Sequence, residues 1–468
     1  MINQIIMKRC LIASMLLLVG CSALTKLRLD MTDSLFGREP HNAAAELKAI
    51  NATRTVKLDW STQLGETGPY DYTPALSAGS VYAVNVKGDL AKFNVANGKQ
   101  EWRINVGEPI SGGVGAGGGL VLVGTNRGNL LAYDVSGKLV WQSKLSSEVL
   151  SVPRYFEGKV IVRSGDNAIY GLDAADGVRK WTYTRVVPAL SLRSSAGIVV
   201  DGGAVYAGFS GGKMVAIRAD NGKLLWDATV AVPRGVTEIE RIADITSLPV
   251  VSGPVVYAVA YQGRIAAIDR INGKVLWNRE ISSYRGIAIE GEEIYVSHAL
   301  GSLYSLDYAT GRTFWRQGDL LNRRLTTPLP MNGLTAVGDL EGYIHFLNRD
   351  NGKFSSRIKV GSNAVMSLIP SNKPSQLIAA TRDGGLYLVS VGASTASMSE
   401  ERESTPTIKT VEPAPANEIE TFEADSPEAS EVTEEKSDSI LFQKQKPLLF
   451  PSVPESYSGP GIELPQSE

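Results

Sequence analysis

Short apolar runs recur along this chain, and each is followed at a fixed distance by the same phrase. The first full copy joins Val81-Tyr82-Ala83-Val84 to Gly88 and then to Ala91-Lys92-Phe93-Asn94-Val95-Ala96-Asn97-Gly98-Lys99-Gln100-Glu101-Trp102. Six variable copies follow. Asp134 with Gly137-Lys138 leads to Trp141, Asp173 with Asp176-Gly177 to Trp181, and Asp220-Asn221-Gly222-Lys223 to Trp226. Asp269 with Asn272-Gly273-Lys274 leads to Trp277 and Asp307 with Thr310-Gly311-Arg312 to Trp315, whereas Asn348 with Asn351-Gly352-Lys353 reaches Ser356 where tryptophan is expected. Trp60 supplies an eighth register position upstream. All 7 tryptophans therefore hold one place in one repeat, with spacings of 42, 39, 40, 45, 51 and 38 residues.

Gly88, Gly212, Gly263, Gly301 and Gly342 each lie fourteen residues before that register position, and Asn167 fills the slot in another copy. Glycine and asparagine tolerate positive φ, and an Asx-Gly pair between apolar runs is the strongest local hairpin signal. Each repeat reads as a four-stranded meander of about 40 residues, the arithmetic of a propeller blade. The two ends are complementary. Trp60 has no strands before it, while the strands predicted at 376–381 and 385–391 have no Gly-Lys-x-x-Trp strand after them. A segment near 56–64 is thus predicted to complete the last blade. The expected fold is an all-β, eight-bladed β-propeller of four-stranded antiparallel blades, closed by the N-terminal strand and occupying residues 53–392.

Cysteine content narrows the chemistry. Both cysteines, Cys10 and Cys21, lie at the N-terminus, so the repeat region has neither a disulfide nor a thiolate metal site. Lys8-Arg9 precedes an apolar run from Leu11 to Val19, which has the regions of an export signal and is too short to span a bilayer. Leu18-Val19-Gly20-Cys21 resembles the lipobox of bacterial lipoproteins. That resemblance implies a signal at 1–20, acylation of Cys21, a mobile tether at 21–52 and, because Ser22 is not aspartate, the outer membrane on its periplasmic side. The formal charge is −2, and no basic stripe suits nucleic acid; Arg323-Arg324 reads as a solvated loop pair. Residues 393–468 read as an acidic, disordered tail, with 12 acidic and 2 basic residues between Glu400 and Glu435. Leu441-Phe442 and Leu448-Leu449-Phe450-Pro451 are apolar islands within it.

Three patterns imitate enzyme motifs. Gly113-Val114-Gly115-Ala116-Gly117-Gly118 satisfies a dinucleotide fingerprint but precedes the strand-like Leu120–Val123, so a turn is expected. Gly208-Phe209-Ser210-Gly211-Gly212 satisfies a nucleophile-elbow string but also precedes a strand, Met214–Ile217. His41, His298 and His345 lie in the tether and in separate repeats, so no triad or metal cluster is indicated. Asp134, Asp173, Asp269 and Asp307 occupy equivalent positions in different repeats, which points to turn hydrogen bonds.

The repeat resembles the pyrroloquinoline-quinone type, and residues 53–392 resemble the BamB family of outer-membrane β-barrel assembly lipoproteins. Leu190-Ser191-Leu192-Arg193, Thr237-Glu238-Ile239-Glu240-Arg241 and Asp319-Leu320-Leu321 carry the likeness beyond the repeat. The resemblance implies a scaffold without enzymatic activity or cofactor. It also implies binding to the periplasmic domains of the central barrel-assembly protein (BamA-like), alongside other lipoproteins of its complex. The partner-binding residues it implies are Leu190, Leu192, Arg193 and Asp244, with Thr246 standing where a second acidic residue is expected. The longest interval, Trp226 to Trp277, carries its surplus at 236–248, as a binding loop would. Two alternatives are an adaptor for another periplasmic partner and a quinone-dependent dehydrogenase, although the vicinal cysteines and calcium ligands of the latter are not evident.

Overall fold

The computed structural model describes residues 43–186, 188, 190–193 and 195–394. The signal segment, Cys21, residues 21–42 of the tether, His41 and the acidic stretch lie outside them. The described residues form 32 strands in eight four-stranded antiparallel sheets, which make a ring of eight blades. Blades 1 to 7 are continuous in sequence, spanning 75–105, 110–144, 154–183, 198–229, 250–279, 287–317 and 329–359. Blade 8 takes three strands from 365–394 and its outermost strand from Arg54–Gln63. That N-terminal strand pairs with Gly385–Ser394, from Arg54 opposite Ser394 to Gln63 opposite Gly385. The closure expected from the incomplete ends is the one observed.

Burial explains why the second strand of each blade is largely apolar instead of alternating, as in Ser80–Val84 and Ala204–Phe209. Each blade is covered on both faces, so successive side chains enter different interfaces. In Val81–Val84, Val81 and Ala83 pack towards blade 8 while Tyr82 and Val84 pack towards blade 2. Eight separate apolar clusters result, one at each blade interface.

The tryptophans connect the blades. Each indole lies against the glycine of the hairpin joining the third and fourth strands of the next blade, and its Nε1–H donates to a carbonyl there. Trp60 Nε1 donates to Val95 O at 2.8 Å, Trp102 to Val135 O at 3.1 Å, Trp141 to Ala174 O at 2.8 Å and Trp181 to Ala219 O at 3.1 Å. Trp226 reaches Arg270 O at 2.9 Å, Trp277 reaches Tyr308 O at 3.1 Å, and Trp315 reaches Arg349 O at 2.5 Å. A Cβ on Gly98 would sit 2.7 Å from the Trp60 ring, so the hairpin needs glycine for close approach as well as for its φ of +68°. This geometry accounts for Ser356. In blade 8 the third and fourth strands come from opposite ends of the chain, so the hairpin on which a tryptophan of blade 7 would dock is absent. In its place, Thr53 N donates to Ser355 O at 2.8 Å as the N-terminal strand enters.

The turn slot fourteen residues upstream has φ of +93° at Gly88, +70° at Gly212 and +69° at Asn167, as the pattern predicts. Gly263 departs from this. The positive φ falls one residue earlier, on Gln262 at +49°.

Residues 43–52, the end of the segment expected as tether, run along the outside of blades 6 and 7. Ala45 N donates to Leu321 O at 2.9 Å, Lys48 pairs with Asp319 at 2.7 Å, and Leu47 packs on the blade 6–7 cluster. Arg323 corrects the expectation of a solvated loop pair: its side chain is 2% exposed. Its guanidinium donates to Asp339 at 2.7 Å, to Ala45 O at 2.7 Å and to Glu341. Asp339 in turn bonds His345 Nε2 at 2.9 Å, and Arg357 Nε donates to His345 Nδ1 at 3.0 Å. Burial is affordable for these charges because each is paired.

Candidate functional site

Loops that join the outermost strand of one blade to the innermost strand of the next gather around one end of the central cavity. The two longest follow blades 3 and 4, at 184–197 and 230–249. They carry all four residues expected to bind a partner, and Asp244 ties one loop to the other. Its carboxylate accepts from Leu192 N at 2.7 Å and from Gly211 N at 3.0 Å, while its own carbonyl accepts from Tyr261 N at 2.8 Å. Only 3% of Asp244 is exposed. Asp244 is therefore buried between the two loops and fixes the backbone at Leu192.

Leu190, Leu192 and Arg193 differ in their settings. Leu190 is 45% exposed and Leu192 is half-buried at the wall of the cavity. Arg193 is exposed, pairs with Glu148 at 3.4 Å and holds its guanidinium carbon 5.8 Å from the Tyr70 ring centre. Further apolar side chains stand at the same loops: Val186 and Val236 are each 96% exposed and Ile239 68%. Exposed apolar groups and an arginine carried on the same loops suit protein contact. Within 236–240, Glu240 folds back to accept from Val236 N at 2.8 Å and Thr237 N at 3.1 Å, so this acidic group shapes the loop. Thr246 Oγ1 donates to Tyr284 O at 3.3 Å and lines the cavity.

Arg163 is buried within reach of the Asp244 charge and escaped sequence reasoning. Its guanidinium donates to Gly208 O at 2.6 Å and bonds Asn167. Burial pulls its pKa down to about 10, opposed by the charge of Asp244. The available signal was an arginine ending the buried strand Lys159–Arg163, where the pattern otherwise stays apolar. Glu148 was also missed, since nothing local marks it as the partner of Arg193.

The enzyme-like strings resolve into blade structure. Gly113–Gly117 belongs to the innermost strand of blade 2, with the expected turn confined to Gly118-Gly119. A Cβ on Gly115 would lie 2.1 Å from Pro153 O, so glycine permits close approach of blade 3. Gly208–Gly212 runs from strand end into hairpin turn. The repeated aspartates serve turns: Asp134 accepts from Ser136 N at 2.9 Å, Asp173 from Ala175 N at 3.0 Å, Asp269 from Ile271 N at 2.9 Å and Asp307 from Thr310 N at 2.7 Å. Among the described residues, no three His, Cys, Asp or Glu side chains are placed to hold a metal ion.

Comparison with known proteins follows the same lines. The family profile described as "Outer membrane protein assembly factor BamB" matches residues 86–317. A Nitrosomonas eutropha protein of that name is 35% identical over 386 residues, covering 82% of this chain and 94% of that one. The crystal structure of BamB from Moraxella catarrhalis aligns with a TM-score of 0.67 at 28% identity, covering 72% of this chain and 100% of that chain. A quinohemoprotein alcohol dehydrogenase from Comamonas testosteroni aligns with a TM-score of 0.60 at 14% identity over 72% of this chain and 76% of that chain, a likeness of fold alone.

Proposed function

Since the chain belongs to the BamB family of outer membrane protein assembly factors, we propose that its loop face is a non-catalytic docking platform for the periplasmic domains of the central barrel-assembly protein. Leu190, Leu192 and Arg193 make the contact and Asp244 positions it. The observation that carries this reading is the Asp244 carboxylate, buried and bonded to the backbone of a loop 52 residues away. A buried carboxylate that accepts from Leu192 N fixes the backbone there before any partner arrives, which lowers the ordering cost of binding. Apolar residues beside one exposed arginine then supply the few side chains that dominate affinity. The chain sits at the periplasmic face of the outer membrane, held by lipid on Cys21 with other lipoproteins of the complex.

Capture of the barrel-assembly protein from detergent extract tests the platform. Leu192→Glu and Arg193→Ala each weaken capture by about thirtyfold or more, a hot-spot loss of roughly 2 kcal/mol, with an unchanged melting temperature. Capture retained by both variants and lost on deletion of 400–468 moves the site to the tail. For the anchor, Cys21→Ala accumulates as unprocessed precursor; normal cleavage with detergent-phase partitioning removes the lipid assignment.

A further inference from the structure

The central cavity has a volume of about 680 Å³, in the range of ligand pockets, and opens beside Leu192 and Arg193. Its charge is one-sided. Arg154, Arg193 and Arg285 line it, against Asp71 as the acidic group among the lining residues. Asp71 is already engaged, 3.4 Å from Arg285 and 4.0 Å from Arg382, and Arg193 faces Glu148. Arg154, on the innermost strand of blade 3, has no side-chain hydrogen bond or ion pair with any described residue. Burial lowers its pKa, with no opposing charge to raise it. Arg154 is half-buried, and Nε of Arg285 is fully buried without a hydrogen-bond partner.

This contrasts with the other enclosed arginines. Arg323 is satisfied by two carboxylates and a carbonyl, and Arg163 by carbonyls and Asn167. An enclosed guanidinium remains charged at neutral pH, and leaving it uncompensated destabilises the fold. Folds keep such groups where a ligand completes them, and a planar fork of N–H donors matches a carboxylate.

We propose that the cavity receives a carboxylate, borne by an aspartate or glutamate side chain of the polypeptide docked at its rim, and that Arg154 is the primary donor with Arg285 Nε beside it. The polypeptide source rests on the reading of the rim given above. The carboxylate chemistry rests on the cavity alone.

Melting of the detergent-solubilised full chain, wild type and Arg154→Met, tests both parts separately. In the absence of ligand, Arg154→Met melts about 2–4 °C higher, because a half-buried charge without a protein partner has been removed. Glutarate raises the melting temperature of wild type by about 2 °C or more and leaves Arg154→Met unmoved, relative to sodium chloride at matched ionic strength. A blocked hexapeptide with one central glutamate does the same, and its glutamine twin does not. A lower melting temperature for Arg154→Met, or equal effects of glutarate and chloride, overturns the anion site. Inorganic phosphate protecting where glutarate fails overturns the carboxylate. Protection by glutarate with neither peptide active overturns the polypeptide source while leaving the rim reading to the capture assay.

Discussion

The contact between Trp60 and Gly98 closes the ring, and its energy can be isolated because blade 1 contains its own control. Gly79 and Gly98 are both hairpin glycines of that blade, with φ of +75° and +68°. A Cβ on Gly79 would meet nothing within 4 Å, whereas one on Gly98 would lie 2.7 Å from the Trp60 ring. Gly79→Ala therefore costs only the left-handed backbone penalty, roughly 1–2 kcal/mol. Gly98→Ala carries the same penalty plus overpacking of about 1–3 kcal/mol. Removing the ring relieves that second part, so Trp60→Ala combined with Gly98→Ala is less destabilising than the two single changes added together, by about 1–3 kcal/mol. Urea unfolding of the four variants measures it, with unchanged slope confirming that the same transition is compared. Equal costs for the two glycine variants, or strict additivity in the double variant, would falsify the latch.

Three further outcomes follow from the structure. Deleting 22–65 removes the outermost strand of blade 8 and lowers the melting temperature sharply, while deleting 400–468 leaves it within about 2 °C, roughly the effect of a sub-kcal change; equal effects exclude closure by the N-terminal strand. Burial depresses the pKa of His345, opposed by its bond to Asp339; burial raises that of Asp339, but bonds from His345 and Arg323 outweigh it and hold it low. Both depressed groups favour the fold at higher pH, so stability is full above about pH 6.5, the unfolded histidine value, and declines below it. His345→Gln flattens the decline between about pH 6.5 and 5 in melting curves, with His298, also depressed by burial, carrying the remainder; an unchanged slope refutes this. Asp244→Ala weakens partner capture through Leu192 and quickens amide exchange at Leu192 and Gly211; slow exchange at both with weak capture would give Asp244 a direct contact instead.

Local spacing made the ring legible. The tryptophan register, the Asx-Gly hairpins and the unmatched ends depend on residues within one repeat, and their combination determined blade number and closure. The missing tryptophan at Ser356 was visible, but its cause required knowing which blade each indole touches. The site divides in the same way. Loop length drew attention to 236–248, whereas the burial of Asp244 depends on Leu192, 52 residues distant, and on Gly211. Arg323 was misjudged for the same reason: its partners are Asp339, Glu341 and Ala45, the last 278 residues away. An arginine in a loop carries no local mark of such company.

The covalent gap in blade 8 is a matter of gene order. Arg54 faces Ser394 across a pair of antiparallel strands, so the break occupies the place where every other blade has a hairpin. A permuted gene, with those residues joined through an Asx-Gly turn and a different hairpin cut open, retains all eight interfaces. Position 356 then faces a complete hairpin for the first time, and tryptophan there changes from a side chain without a seat into the eighth member of the set.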